Sequence, residues 1–231
     1  MIARAQPARL FRPGLLDRVG VLVAGADEPS SDAEAGRSRE RSGDGDERAV
    51  AADAVAAACA ALDARVWRRR EQLPDPVSLD VLVVDAAGLF RGALADARSA
   101  GASPPAAMPD AASREALRRS LGLAWEITRA VADEALIAPG RAGRIVYLAP
   151  AAAGAGGASS ELVHADAARA ALENLARTLS IEWARYGITT ATIAMRDADA
   201  DAAADAATLV AYLCSPAGAY FSGCVFELGR R

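Results

Sequence analysis

A chain of 231 residues with 52% hydrophobic content is long enough to bury a complete core as one domain. Its net charge of −4 gives no reason to expect a nucleic-acid partner. No apolar run is long enough to span a membrane. The first residues carry arginines without the hydrophobic core of a signal peptide, so we expect a cytoplasmic protein.

Much of the apolar content is alanine, because aromatic residues make up only 5% of the chain. Alanine favours helices and buries little area, which predicts an α/β domain whose helices approach closely. Every basic residue is arginine, and lysine is absent. Cys59, Cys214 and Cys224 stand singly in apolar surroundings, which predicts small core residues in a reducing compartment rather than a disulfide or a metal site.

The N-terminal half divides into an arm and the start of an α/β domain. Residues 1–16 are basic and contain proline, so we expect an irregular arm on the surface or on a partner, followed by a single domain over 17–231. Residues 19–23 are continuously apolar, as in a strand buried on both faces. Residues 27–47 are charged and lack a periodic apolar face, which predicts a long mobile loop.

The next segments continue the alternation of helix and strand. Residues 49–62 predict an alanine-rich helix, residues 64–67 a brief strand and residues 79–84 a second buried strand. Residues 85–88 would close that strand. A loop containing three prolines is expected over 89–110.

A long amphipathic helix is predicted over 113–137, with Ser113 as its N-cap. The residues expected on its apolar side are Leu117, Leu121, Trp125, Thr128, Val131 and Ala135. Residues 144–148 predict a third strand and residues 150–159 a flexible loop.

The stretch from His164 to Ile188 predicts a second long helix, which ends near Gly187 and leads into a strand over 188–193. Apolar residues recur along it at steps of three and four, namely Ala168, Leu172, Leu175, Leu179 and Trp183. An acidic connector over 197–205, a helix over 206–214 and a strand over 224–228 complete the chain. Strands that alternate with helices indicate a parallel sheet covered on both faces.

Residues 170–188 read Ala-Ala-Leu-Glu-Asn-Leu-Ala-Arg-Thr-Leu-Ser-Ile-Glu-Trp-Ala-Arg-Tyr-Gly-Ile. This sequence resembles the signature helix of the short-chain dehydrogenase/reductase family, in particular that of its 3-oxoacyl-ACP reductases. Residues 79–88, 143–148 and 210–223 resemble three further blocks of that family in the same order. The resemblance implies an α/β, Rossmann-like, doubly wound parallel sheet with helices on both faces, reduced by or missing one βα unit. It leaves open whether residues 49–62 are the first or the second helix of the usual order.

The resemblance also implies that the catalytic residues are degenerate. The family uses a tyrosine and a lysine four residues later, and this chain has Ala165 and Arg169 at those positions. Pro150 stands where the family has its serine, and Ser120 where it has a proton-relay asparagine. Without lysine anywhere, the usual Tyr–Lys pair cannot exist.

A dinucleotide needs glycines after the first strand, so that the backbone approaches the phosphates at a helix N-terminus. Only Gly25 fits this pattern here, and Asp27 introduces a negative charge nearby. Asp85 and Gly88 belong to a segment that resembles the family's Asn-Asn-Ala-Gly motif. We therefore expect no NAD or NADP bound by this chain. The short connector over 197–205 replaces the family's substrate lid, which also argues against catalysis.

Loss of the catalytic features with retention of the assembly elements predicts a non-catalytic subunit. Members of this family in which an inactive subunit pairs with an active one are known. The expected partner is a catalytically intact homologue that binds NADP or NAD and reduces a 3-oxoacyl thioester or a similar carbonyl. The expected interface residues are Leu121, Trp125, Ala171, Leu175, Tyr220 and Phe226.

Two alternatives remain open. One is an enzyme with an altered active site that uses His164, Asp166, Arg169 or Ser159. The other is a self-associating binding or regulatory protein. His164 is the only histidine, and a lone histidine at a helix start is usually a surface or capping residue.

Overall fold

The computed structural model describes residues 10–25, 50–75, 77–100, 111–151, 160–195 and 200–229. Several predictions lie outside these ranges: the loop over 27–47, the positions Asp27 and Ser159, and most of the arm over 1–16.

The described strands form one parallel sheet. Their bounds are β1 Gly20–Ala24, β2 Arg65–Trp67, β3 Val81–Val84, β4 Gly143–Ala149, β5 Ile188–Met195 and β6 Cys224–Leu228. The order across the sheet is β2-β1-β3-β4-β5-β6, with every pair parallel. β1 and β3 are buried along their whole length, as their continuous apolar sequences predict.

Within the described ranges, five helices cover the two faces of this sheet. Their bounds are α1 Val50–Ala60, α2 Ala86–Ala100, α3 Ala111–Ala132, α4 Ser160–Glu182 and α5 Ala200–Cys214. α1 packs against α5 on one face, and α3 packs against both α2 and α4 on the other. None of the helices in the described ranges combines the length and the apolar character needed to cross a bilayer.

The topology confirms the predicted Rossmann-like fold and its shortened side. In the standard six-stranded order two strands lie beyond β1, whereas the described residues place only β2 there. α1 connects β1 to β2, which are direct neighbours in the sheet. It therefore serves as the first crossover helix, with the second βα unit on that side absent from the described part of the chain.

The predicted loop over 89–110 was wrong for residues 89–100, which belong to α2. Residues 85–88 were expected to close the strand, yet Gly88 lies inside the first turn of this helix. Phe90, Ala93 and Leu94 recur at helical spacing and are buried, which supplies the energy for helix formation.

The long helix α3 begins at Ala111, so the predicted N-cap Ser113 lies inside its first turn and is buried. The predicted positions Thr128, Val131 and Ala135 are buried as expected, whereas Leu117 and Leu121 are half-buried. The buried positions are Ala116, Ser120, Ala124, Ile127, Thr128, Val131 and Ala132. The predicted position Trp125 is 39% exposed. Small residues face the core, and the tryptophan faces outward.

The remaining elements agree with the sequence apart from their bounds. The buried side of α4 contains Ala168, Leu172 and Leu179 as predicted. A single 3-10 turn and Gly187, at φ +71°, end this segment before β5. α5 begins at Ala200 rather than 206, so only residues 196–199 separate it from β5.

The end of the predicted arm belongs to the core. Leu16 is fully buried, and its backbone N–H donates to the carbonyl of Leu62 at 3.0 Å. Phe11 and Leu15 pack partly against the same core. The described part of the arm is therefore anchored beside the end of α1.

Candidate functional site

The crevice at the carboxyl ends of β1 and β3 is where ligands bind in this type of sheet, because the strand order reverses there. Gly25 follows β1 and Asp85 follows β3. The backbone N–H of Asp85 donates to the carbonyl of Ala24 at 2.8 Å. The two strand ends are thus joined across the point where a ligand would enter.

Asp85 is the N-cap of α2. Its Oδ1 accepts the backbone N–H of Gly88 at 2.9 Å, and its own carbonyl accepts that of Leu89. Burial raises the pKa of this carboxyl, while the Gly88 hydrogen bond and the positive charges of Arg91 and Arg68 lower it by a smaller amount. Asp85 therefore contributes a buried carboxyl that caps the N-terminus of α2.

Both glycines of the degenerate cofactor motifs pack against this same side chain. A Cβ at Gly88 would lie 2.3 Å from Asp85 Oδ2, and a Cβ at Gly25 would lie 2.9 Å from Asp85 Cβ. The space that these glycines leave open is therefore filled from within the chain. Their lack of a side chain is explained by packing and needs no ligand.

The first turn of α1 also carries a carboxylate of the chain itself. Asp53 lies in the first turn of α1 and pairs with Arg68 at 3.0 Å between Oδ1 and Nη2. Arg68 donates a second hydrogen bond to the carbonyl of Ala52 at 2.8 Å. A carboxylate at a helix N-terminus satisfies the positive end of the helix dipole, which a phosphate group would otherwise occupy.

In the described part of this crevice, the helix starts next to the ends of β1 and β3 carry carboxyl side chains of the chain itself. The pyrophosphate of NAD or NADP needs open backbone and donor groups, whereas Asp85 and Asp53 put carboxylates beside the two helix starts. The segment between β1 and α1, residues 26–49, lies outside the described residues.

The residues that the resemblance places at catalytic positions are packed or paired within the chain. Ala165 is buried in an apolar cluster with Phe90, Ala93, Leu94, Ala116 and Ala168. This cluster joins α2, α3 and α4. A tyrosine hydroxyl at position 165 would therefore have to displace packed side chains.

The polar side chains at the predicted catalytic positions, Arg169 and Ser120, have partners within their own helices. Arg169 pairs with Glu173 at 3.6 Å between Nε and Oε1, and both side chains are mostly buried. The hydroxyl of Ser120 donates to the carbonyl of Leu117 at 3.1 Å. Pro150 is buried directly after β4. The structure brings no tyrosine together with these residues in the described ranges.

Tyr147 is the one fully buried tyrosine of the described chain, and it has a structural partner. Its hydroxyl lies 3.1 Å from Thr128 Oγ1, which in turn donates to the carbonyl of Ala124. Burial raises the pKa of Tyr147 far above its ordinary value, with only a partial offset from Thr128. This hydroxyl therefore keeps its proton and connects β4 to α3.

His164 contacts Ser113, the residue predicted to be the N-cap of α3. Its Nδ1 lies 3.2 Å from Ser113 Oγ, so the first turns of α3 and α4 are joined. Ser113 is buried and His164 half-buried. Asp166 is half-buried on the same turn of α4.

The predicted interface residues differ in exposure. Tyr220 is 90% exposed, whereas Leu121 and Leu175 pack partly against the core of their own chain. Ala171 is half-buried. Phe226 stacks edge-to-face on Phe221, with ring centroids 5.4 Å apart. No second chain is described, so a role in assembly remains a prediction for all of them.

The sequence missed the functions of Asp85, Asp53 and Arg68. Asp85 directly before an apolar helical pattern was a sequence signal for an N-cap. The ion pair between Asp53 and Arg68 joins α1 to the residue after β2. The sequence spacing of these two residues does not predict that they pair.

The comparisons with known proteins place the chain by fold. No protein-family model and no curated protein sequence matches it. A short chain dehydrogenase from Bacillus anthracis matches with a TM-score of 0.60 and 19% identity over 92% of this chain and 96% of that one. One from Mycobacterium smegmatis has a TM-score of 0.58 and 18% identity over 99% and 98%. A citronellol catabolism dehydrogenase from Pseudomonas aeruginosa has a TM-score of 0.57 and 19% identity over 95% and 96%. The chain has the fold of short-chain dehydrogenases over nearly its whole length.

Proposed function

We propose that this chain is a short-chain dehydrogenase/reductase that has lost catalysis and pairs with a catalytically intact homologue. The partner would bind NADP or NAD and reduce a 3-oxoacyl thioester or a similar carbonyl. This chain would stabilise or complete the partner's site. The observation that carries the proposal is the apolar cluster around Ala165, because it closes the position where the reaction needs a hydroxyl.

The other catalytic positions support the same conclusion. A residue that takes part in proton transfer must reach a substrate atom. Ser120 donates within its own helix, and Arg169 pairs with Glu173. Arginine is moreover a poor replacement for lysine in tuning a neighbouring hydroxyl, since it does not lose its proton.

The exposed sides of α3 and α4 favour a protein partner. Three large apolar side chains are exposed there, with Trp125 at 39%, Val163 at 57% and Ile181 at 76%. Aromatic side chains such as Trp125 are enriched in protein–protein interfaces, where the partner buries them. Members of the reductase family that this chain resembles assemble through these two helices. We therefore infer that the partner is another member of that family.

Gly122 gives a second argument for a partner on α3. It is exposed in the middle of the helix, and a Cβ there would meet nothing within 4 Å. A glycine at such a position costs about 1 kcal/mol relative to alanine. Nothing within the described chain requires it, whereas a closely approaching helix would.

Co-expression tests the proposal. The chain is produced with each intact reductase encoded beside it, and the mass of the purified material is measured by light scattering. We expect a hetero-oligomer containing both chains in equal number, formed by an interface of matching helices. A stable monomer in the presence of every such reductase contradicts the proposal, and a homodimer favours the self-associating alternative.

Gly122→Leu shows whether α3 forms the contact. The substitution raises helix propensity and enters open space in the chain alone, so folding is retained. It should reduce co-purification at least tenfold. Ala57→Leu is the matched control, because Ala57 is exposed on α1 across the sheet from α3. Equal co-purification of the two variants would exclude α3 from the interface.

A second candidate function is an enzyme of altered chemistry. The single observation in its favour is the contact between His164 Nδ1 and Ser113 Oγ at 3.2 Å, which pairs a potential base with a hydroxyl. Ser113 is buried, however, and access of a substrate to its hydroxyl would require the two helix ends to separate. The first proposal therefore explains more of the described residues.

A further inference from the structure

The outward side of α3 carries opposite charges at equal distances from Gly122. Residues three and four positions apart lie on the same side of a helix. Arg118 lies four positions before Gly122 and Glu126 four positions after it, and all three residues are exposed. Further along the same side, Glu115 lies seven positions before Gly122 and Arg129 seven positions after it. In both pairs, a charge in one half of the helix has its opposite at the same distance in the other half.

We propose that, when the chain is without its partner, α3 binds α3 of a second copy of this chain, antiparallel and crossing at Gly122. In a contact with twofold symmetry, residues at equal distances before and after the crossing point face one another. Arg118 of one copy would then face Glu126 of the other. Glu115 would likewise face Arg129. The symmetry forms each of these ion pairs twice.

The remaining charges of α3 do not oppose this arrangement. Arg114 and Arg119 are the other two charged residues of the helix, and Ala130 and Trp125 stand at their mirror positions. No charged residue of α3 therefore has a like charge at its mirror position. The face of a tryptophan attracts a guanidinium group, so the position of Trp125 opposite Arg119 is also favourable.

The crossing point itself is open. A Cβ at Gly122 would meet nothing within 4 Å, so no part of the same chain covers this turn of α3. Helices approach closely where the residue at the crossing is small. Trp125, which lies three positions further on, is 39% exposed in the single chain. A second helix crossing at Gly122 would cover part of that side chain.

The ion pairs that these residues form within the chain leave them available. Arg118 and Glu115 pair at 2.7 Å, with 74% and 42% of their side chains exposed. Arg129 and Asp133 pair at 3.5 Å, and more than half of each side chain is exposed. Exposed ion pairs of this kind contribute little to stability. Exchanging them for pairs across a contact therefore costs little.

The self-contact uses the side of α3 proposed above to bind the intact homologue, so the two contacts exclude each other. A contact made mainly by one helix of each chain is small, and we expect a dissociation constant on the order of micromolar. The homologue would replace the second copy by binding more tightly. The self-contact needs only this chain, so its test contains no reductase, and its failure would leave the proposed pairing with a homologue untouched.

The experiment exchanges the charges at one pair of mirror positions. Arg118→Glu and Glu126→Arg are made separately and together in the full chain, and mass is measured by analytical ultracentrifugation well above the expected dissociation constant. The parent chain should be a dimer. Each single variant places like charges opposite each other, which should weaken the dimer at least tenfold. The double variant restores the opposite charges and should form a dimer as the parent does.

Mixing the two single variants in equal amounts gives the sharpest result. Each then supplies the charge that the other lacks, so the mixture should form a dimer that contains one chain of each kind. Arg69→Glu is the matched control, because it makes the same charge change at an exposed position after β2 and should leave the dimer intact. Circular dichroism establishes that every variant is folded.

A parent chain that stays monomeric at every concentration would overturn the proposal. Single variants that form dimers as tightly as the parent, or a mixture that stays monomeric, would overturn it as well. Should one single variant fail to fold, the other single variant and the double variant decide the question, because loss in the first and recovery in the second are both required.

Discussion

Asp85 and Gly88 form one unit at the start of α2. Asp85 Oδ1 accepts the Gly88 N–H at 2.9 Å, and Asp85 Oδ2 lies where a side chain at Gly88 would begin. A carboxyl thus caps the helix from inside the crevice where this fold binds its ligands.

Asp85→Asn should make stability less dependent on pH. Burial raises the folded pKa of Asp85 above its ordinary value, so the folded protein binds more protons than the unfolded chain between the two pKa values. The stabilisation is fully present below about pH 4 and is lost as pH rises through the folded pKa. Asparagine keeps the acceptor and does not ionise. Urea unfolding at pH 5 and pH 8 should show a gain for the variant that grows with pH. The control is Asp133→Asn, at an exposed position; an equal gain there would contradict the prediction.

Gly88→Ala should destabilise the protein by about 1–3 kcal/mol, because the new Cβ overlaps a packed carboxyl. Gly122→Ala is the matched substitution in open space and should stabilise the chain by about 1 kcal/mol. Both are measured by urea unfolding of the purified chain. Equal effects at the two glycines would show that Asp85 does not fill the space at Gly88.

Ala165→Tyr combined with Arg169→Lys should not restore reductase activity. The tyrosine would enter the cluster of Phe90 and Leu94, at a cost of about 1–3 kcal/mol in stability. Ala170→Tyr, exposed on the same helix, is the control and should change stability little. Hydride transfer is followed by the absorbance of NADPH with a 3-oxoacyl thioester. Turnover by the double variant alone would mean that the crevice still accepts cofactor and substrate.

His164→Ala should lower stability without affecting catalysis in the complex. The contact with Ser113 is one hydrogen bond, which contributes about 1 kcal/mol. A double-mutant cycle with Ser113→Ala should give a coupling of similar size. A hundredfold fall in the turnover of an intact complex would instead support the enzyme of altered chemistry.

The sequence predicted the sheet because its central strands are continuously apolar and lie between recognisable helices. It missed α2 because residues 85–88 were expected to close β3 and residues 89–110 to form a loop with three prolines. Contact with the Asp85 carboxyl is what requires a glycine at position 88. It placed Trp125 inward because large residues dominate a periodicity count, while the buried side of α3 consists mainly of small residues such as Ala116 and Ala124. Cys59 and Cys214 lie in one hydrophobic core cluster because α1 packs against α5, which local patterns do not encode.

Native mass spectrometry of the co-purified complex, titrated with NADPH, tests the central claim most directly. The account predicts one dinucleotide for each pair of unlike chains, because Asp85 and Asp53 place carboxylates beside the helix starts of this chain. It also predicts that the chain alone binds none. Two dinucleotides per pair, or micromolar binding by the chain alone, would contradict the account.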